Sequence, residues 1–425
     1  MRDRIFVQIA AYRDPQLEPT VRHLLANASG DFDLTFGICW QHAEDEPRPS
    51  FTGPAFRILD VPHEESRGAC WARHRLQALY DGERWTLQLD SHHRFAPGWD
   101  RTIVEMLESL EAERPLLTTY LPAFDPADET LAPLPCSLRF DGFSSLGALL
   151  VAATPLDDAA RGRGPVPARF FSGHFAFAHG RFCQEVPYDP HLYFHGEEIS
   201  MAVRAFTHGY DLFHPHVSVA WHEYSRRLRP KHWDDHRETA SDHRRRRSDW
   251  GALDRASQRR MRILLGMEAP GAGESIPPPY GLGTARSLRD YERFAGVHFA
   301  SRGVHPSTLA NDVPPSPVDP DDATWLAGLH VERLVEIHVL AARLDPARDY
   351  RHWWVTFHDA GGEELYRIAI ARERIDAMRL DDGYIIQLAC YSPEPPDHCV
   401  IHPYHASGSW DDALRVEVAS IETAT

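Results

Sequence analysis

The chain has 425 residues, 43% of them hydrophobic and 25% charged, which suits two or three domains with sizeable cores and excludes wholesale disorder. Its formal charge of −17 argues against a general nucleic-acid binder, which needs a basic face to meet phosphates. An acidic shell still leaves room for one positive pocket, built from a few arginines and a metal, that takes an anionic nucleotide.

The opening apolar run, Ile5 to Ile9, is too short for a signal peptide and contains Gln8. No segment reaches the roughly 18 apolar residues of a membrane span. The cysteines (Cys39, Cys70, Cys136, Cys183, Cys390, Cys399) form no CxxC pair and read as reduced thiols of a cytoplasmic protein.

Ile5 to Ala11 reads as a buried strand and Asp14-Pro15 as a turn. Val21, Leu24, Leu25 and Ala28 then have helical spacing. Strands follow at Leu34 to Trp40 and Phe56 to Val61, a helix at Ser66 to Tyr80, and a strand from Trp85 to Leu89 that ends at Asp90. A helix around Trp99 to Leu110 and a strand at Leu116 to Leu121 continue the alternation. This predicts a mostly parallel sheet covered on both faces, with ligands at the carboxyl ends of strands. Ile199 to Phe206 is a helix closed by Gly209, and Val217 to Trp221 a strand leading into His222. From about Lys231 a basic run, Arg244 to Arg247, reads as a solvated helix face, and a Pro-rich stretch follows as extended connector. From Trp325 apolar and polar residues alternate, and Asp359-Ala360-Gly361-Gly362 and Asp381-Asp382-Gly383 read as hairpin turns. A small antiparallel β-domain is expected there.

Four stretches carry chemistry. In Asp90-Ser91-His92, two ligand types two residues apart lie on the same side of an extended backbone. Asp plus His suits a borderline cation such as Mn²⁺, and a capping Asp with a surface His is the bland alternative. Glu197 and Glu198 open a helix, either as first-turn acids or as acceptors of a substrate hydroxyl's hydrogen bond. His222 either completes a metal site or is a satisfied strand-end histidine. Arg67 and Arg73 either reach a nucleotide's phosphates or are surface arginines. There is no GxxxxGK[ST], HExxH or GxSxG, which disfavours P-loop kinases, the commonest zinc proteases and serine hydrolases.

The order of these motifs resembles a GT-A glycosyltransferase. It is similar to polypeptide GalNAc-transferases, in which an Asp-x-His pair and a later His hold Mn²⁺ and a Gly-Gly-Glu-Asn stretch matches Gly196-Glu197-Glu198 here. Closer still is the family named for its GlcNAc-transferase domain, whose eukaryotic members modify hydroxyproline of a ubiquitin-ligase adaptor in the cytoplasm. The matching segments are Ile9 to Pro15, Phe36 to Gln41, Ser66 to Arg73, Leu89 to Phe95, Phe171 to Phe175 and the His195 to His222 region.

The resemblance implies a GT-A catalytic domain over 1–240, and the residue pattern adds 241–320 as a Pro-rich connector wrapping it and 321–425 as an accessory β-domain. It implies that Asp90, His92 and His222 hold Mn²⁺ or Mg²⁺. Tyr12, Arg13, Arg67, Arg73 and Ser91 would line the donor site, with Trp40 and Gln41 near the base. Gly173, His174, Glu197 and Glu198 would line the sugar and acceptor pocket, and Asp90, His92, Glu197 and Glu198 would serve catalysis. The implied activity is a retaining transfer of GlcNAc from a UDP-sugar to a hydroxyl acceptor, with no nucleic acid, no membrane span, and a homodimer left open. The competing readings are a metal-dependent nucleotide-sugar hydrolase and a binding protein without transfer, the latter using Trp353, Trp354 and Trp410 to stack on carbohydrate.

Overall fold

The computed structural model describes residues 2–127, 129–132, 134–225, 229, 230, 235 and 250–423. Arg244 to Arg247 lie outside the described residues. The chain divides into two units, residues 1–295 with 313–315, and residues 296–312 with 316–425.

In the first unit the apolar runs become β1 (Arg4–Tyr12), β2 (Asp33–His42), β3 (Phe56–Pro62) and β4 (Trp85–Asp90), paired in parallel in the order β3-β2-β1-β4. Alternation along β1 serves two faces. Ile5, Val7 and Ile9 meet α1 (Leu17–Ala26) and α3 (Trp99–Glu108) in one core. Ala10 packs on the other side against Cys39, Val61 and the Ala72 and Leu76 side chains of α2 (Ala69–Gln77). Burial on both faces is what lets these strands be nearly continuous apolar runs. The buried Gln8 donates its side-chain N–H to Thr86 Oγ1 at 2.8 Å.

Beyond β4 the sheet continues through strands the sequence pattern gives in part. β5 (His93–Phe95) leaves the main sheet, and β6 (Pro115–Thr118) returns to it. β7 (Phe175–His179) runs antiparallel between β4 and β6, and β8 (Asp211–His214) lies parallel to β6. A short edge strand, Val166–Pro167, completes eight strands. Four of the seven pairings are parallel, so the α/β sheet between helices expected as mostly parallel is a mixed one, with β7 and the edge strand antiparallel. α4 (Glu197–Thr207) is buried along most of its length, and Gly209 beyond it has φ of +89°.

Three local expectations shift. The helix expected from Ser66 begins only at Ala69, because Gly68 sits at φ +98° and Ser66 is extended. The strand expected from Val217 shrinks to β9 (Ala220–His222), which pairs with β5 instead of the main sheet. The Pro-rich stretch holds helices at Trp250–Leu264 and Leu288–Ala295, both in the first unit.

The second unit is a sandwich. One sheet is built on β10 (His330–Leu340) and β13 (Gly383–Ser392), with β16 (Ser420–Thr423) at its side. The other has the order β12 (Glu364–Ala371), β11 (Tyr350–His358), β14 (His398–His405), β15 (Leu414–Glu417). Val335, Ile337, Ile386 and Leu388 from one sheet and Trp353, Val355, Phe357 and Ile401 from the other form its core. Both expected hairpin turns are present, joining β11 to β12 and the short strand Arg379–Leu380 to β13. Among the described residues, no helix is long and apolar enough to cross a membrane.

Candidate metal centre

Asp90 is the last residue of β4, where the backbone leaves the sheet and its carboxylate emerges at the carboxyl edge. Arg73, on α2 behind that edge, binds Asp90 Oδ1 through Nη2 at 2.8 Å. The other carboxylate oxygen, Oδ2, faces two imidazoles. His92 Nε2 lies 3.8 Å from it and His222 Nε2 3.7 Å. Both nitrogens are buried, and neither has a hydrogen-bond partner among the described residues. Asp90, His92 and His222 each bring one ligand atom within 4.8 Å of the others, an arrangement able to hold a metal ion.

His222 arrives from 130 residues further along through the β5–β9 ribbon. In that ribbon it stands opposite His93. Its backbone N–H donates to Pro122 O at 3.0 Å, and the next N–H, of Glu223, donates to His92 O at 3.1 Å, which fixes the register. His174 stacks on the His222 ring at 4.1 Å and accepts the Leu121 N–H on Nε2. Burial pushes both imidazoles well below the ordinary histidine pKa, and the neighbouring histidines add to it. They are therefore neutral, the form that ligates a metal.

The ligands are themselves oriented. Asp14 Oδ2 accepts from His92 Nδ1 at 2.7 Å and from the Ser91 hydroxyl at 2.6 Å. Burial alone would raise the Asp14 carboxyl, but the hydrogen bonds from His92 and Ser91 and the Arg229 charge outweigh it and hold the pKa at about 2. A carboxylate on Nδ1 leaves the Nε2 lone pair for the metal. On the other side, Arg73 bridges Asp90 and Glu197, whose Oε1 accepts from Nη1 at 2.5 Å. Glu197 Oε2 accepts from the Cys70 thiol at 2.9 Å. A side chain at Gly173 would run into the Glu197 carboxylate, so glycine is what admits this bridge. Glu198 Oε1 accepts the Gly173 N–H at 2.8 Å, and its Oε2 accepts the Tyr120 hydroxyl at 2.6 Å.

A cavity opens beside Asp90, and Tyr12, Gln41, Arg73, Ser91 and His92 line it. Arg13 is nearby, in left-handed backbone at φ +45°, its guanidinium on Glu46 and Asp235 at 2.9 Å each. Trp40 and Arg67 are not brought in. Trp40 is stacked on His42 and packed into the core, since alternation sends it away from its neighbour Gln41. Arg67 precedes Gly68 and lines a separate hollow with Trp71 and His191. Sequence reasoning missed Asp14, Arg229, Tyr120 and Cys70 as parts of this site. Asp14 and Cys70 lay within the matching segments Ile9 to Pro15 and Ser66 to Arg73, but Asp14 was given no role beyond a turn and Cys70 none beyond a reduced thiol.

A glycosyltransferase (GlcNAc) family model matches residues 4–53 and 47–301. No curated protein matches the chain. Among solved structures, GalNAc-T7 with UDP, GalNAc and Mn²⁺ aligns at 12% identity over 98% of this chain and 71% of that one, with a TM-score of 0.45. Residues 1–349 of S. aureus TarS align at 10% identity over 52% and 60% of the two chains, with a TM-score of 0.35.

Proposed function

The chain belongs to the GlcNAc glycosyltransferase family, and we propose that it transfers GlcNAc from UDP-GlcNAc to a hydroxyl acceptor, with retention at the anomeric carbon and with Mn²⁺ as cofactor. The observation that carries this reading is Asp90 Oδ2 set against two buried, unbonded imidazole nitrogens. These donors fit Mn²⁺ or Mg²⁺, and the mixed N/O set favours the softer Mn²⁺. A metal held by Asp90, His92 and His222 would offset charge building on the departing diphosphate.

The remaining work falls to the protein's own groups. Asp14 fixes the His92 tautomer, and Glu197 holds Arg73 against Asp90. Arg73 and Arg229 place positive charge on the cavity wall, suited to a diphosphate. Both oxygens of Glu197 and of Glu198 are already engaged, which supports a positioning role over attack on the sugar. The acceptor hydroxyl then forms its bond to C1 on the face the diphosphate leaves. The C1–diphosphate bond breaks, and the hydroxyl proton departs on the released phosphate oxygen. All six cysteines are buried thiols, which supports action in a reducing compartment such as the cytoplasm.

The deciding experiment is UDP release by the purified chain with Mn²⁺, across a panel of UDP-sugars, with and without EDTA. Release from UDP-GlcNAc that EDTA abolishes, and a product of retained configuration by NMR, are expected. No donor-dependent release, together with no heat of binding for UDP plus Mn²⁺, would sink the proposal.

Two further results are expected at this site. Asp14→Asn weakens Mn²⁺ binding by about 10–100-fold, the usual effect of losing a carboxylate behind a metal-bound histidine. Calorimetric titration with Mn²⁺ reads it, and unchanged affinity would remove Asp14 from the site. Glu198 sits among Tyr120, Glu197, Arg73 and the Gly173 N–H. Burial is the largest influence on it and pushes its pKa up to about 7, against the two hydrogen bonds that lower it. The ionised form, able to accept the acceptor hydroxyl's hydrogen bond, gains ground as pH rises through about 7. Turnover should therefore rise across that range. Glu198→Gln should lose about a hundredfold in rate and the acid limb with it. An acid limb that persists in the variant would assign it to another group.

A further inference from the structure

Alternate residues of an antiparallel strand face opposite ways, and a face that meets water is ordinarily polar. β11 keeps the first rule and departs from the second. Trp353, Val355 and Phe357 enter the sandwich core and are fully buried. The opposite face carries His352, Trp354 and Thr356. The register sets Trp354 between His402 of β14 and Ala369 of β12, and Thr356 beside Arg367. Trp354 is 39% exposed, and Trp410, from the loop after β14, is 52% exposed.

These indoles are not stray surface residues. Trp410 meets His352 edge-on at 5.5 Å and Tyr404 at 4.7 Å, and its backbone bridges to Tyr404. The adjoining Asp411 accepts from Arg348 at 2.7 Å and pairs with His405 Nε2 at 2.8 Å, which pins the loop. Ala369, small and exposed, leaves the flank of Trp354 open. The result is a hollow of about 410 Å³ lined by Trp354, Thr356, Arg367, His402 and Trp410. Arg367 is held in place by Glu364 through hydrogen bonds of 3.0 and 2.7 Å.

We propose that this hollow is a saccharide-binding site of the second unit, distinct from the Asp90 centre. A pyranose presents an apolar C–H face and a rim of hydroxyls. The hollow offers the complement: the Trp354 and Trp410 indoles for the apolar face, with the Arg367 guanidinium and the His402 imidazole in the same lining to hydrogen-bond hydroxyls. Two indoles suit an oligosaccharide over a single sugar.

The test is titration of the full chain with chitohexaose, cellohexaose and maltohexaose, followed by tryptophan fluorescence. A saturable change with at least one of them is expected. The Trp354→Ala/Trp410→Ala double variant should bind it about tenfold or more weakly, the loss of roughly one stacking contact or more. UDP release from UDP-GlcNAc should be unchanged in that variant. Ala369→Arg, which fills the hollow and removes no aromatic, should weaken binding as well, and it decides the matter if the double variant does not fold. No saturable change with any of the three sugars at millimolar concentration overturns the proposal, as does equal affinity in the variants. A dimer that the same substitutions split would identify the face as a self-association surface and also overturn it. Fluorescence reads binding whether or not the chain releases UDP, so failure here and failure of the transfer reading are separable.

Discussion

Asp90→Ala is expected to cut Mn²⁺-dependent UDP release by on the order of a thousandfold while the chain still folds. Among the described residues, Asp90 Oδ2 is the carboxylate oxygen that faces both imidazole nitrogens, so its loss leaves the two histidines without their anionic partner. The fold tolerates the change because Asp90 is 27% exposed and Arg73 keeps Glu197 as its counter-charge. The stability cost is therefore about that of one charged hydrogen bond, about 1.5–3 kcal/mol. Paired measurements of turnover against Mn²⁺ and of the urea midpoint separate the two effects. Normal turnover in the variant would place the metal elsewhere.

Arg73→Met carries the larger penalty to the fold. The Arg73 side chain is only 5% exposed and lies between two carboxylates at 2.5 and 2.8 Å. Removing it strands Asp90 and Glu197 without their cation, a loss of about 3–5 kcal/mol for a buried pair deprived of one partner. Turnover should fall as well, because Asp90 loses the group that orients it. The double variant Arg73→Met/Glu197→Gln should recover part of the stability, since it removes one of the stranded charges, and none of the turnover. Urea unfolding of the wild type, the two single variants and the double variant reads this coupling. Strict additivity of the two substitutions would show that the Arg73–Glu197 contact contributes nothing.

How far the sequence disclosed this site depends on which geometry each residue needed. Asp90 was legible because an apolar strand ends on it, and strand ends are where an α/β sheet presents ligands. His92 followed from its spacing. His222 stood out as a strand-end histidine with two open readings, and only resemblance chose between them, since its position depends on a short ribbon pairing segments far apart in the chain, which no local pattern encodes. Trp40 and Gln41 illustrate the limit of motif reading: adjacent strand residues cannot both face one cavity, and it is Gln41 that does. Arg67 and Arg73 look equivalent at six residues apart. Only Arg73 lies within the helix, and the left-handed glycine between them sends Arg67 to another surface. In the second unit, alternation separates Trp353 from Trp354, but the pattern alone leaves open which of the two is inside.

The β5–β9 ribbon has a consequence for how the site comes into being. Asp90 and His92 are neighbours in any conformation, whereas His222 joins them only when a loop of more than a hundred residues has closed. Closing a loop of that length carries an entropic cost that grows with the logarithm of its size. Here the intervening strands and helices offset it by packing onto the sheet. A three-ligand site is thus a property of the completed tertiary fold, and a nascent or partly unfolded chain offers a cation two of its ligands at most. Possession of the full coordination set reports that the first unit has finished folding.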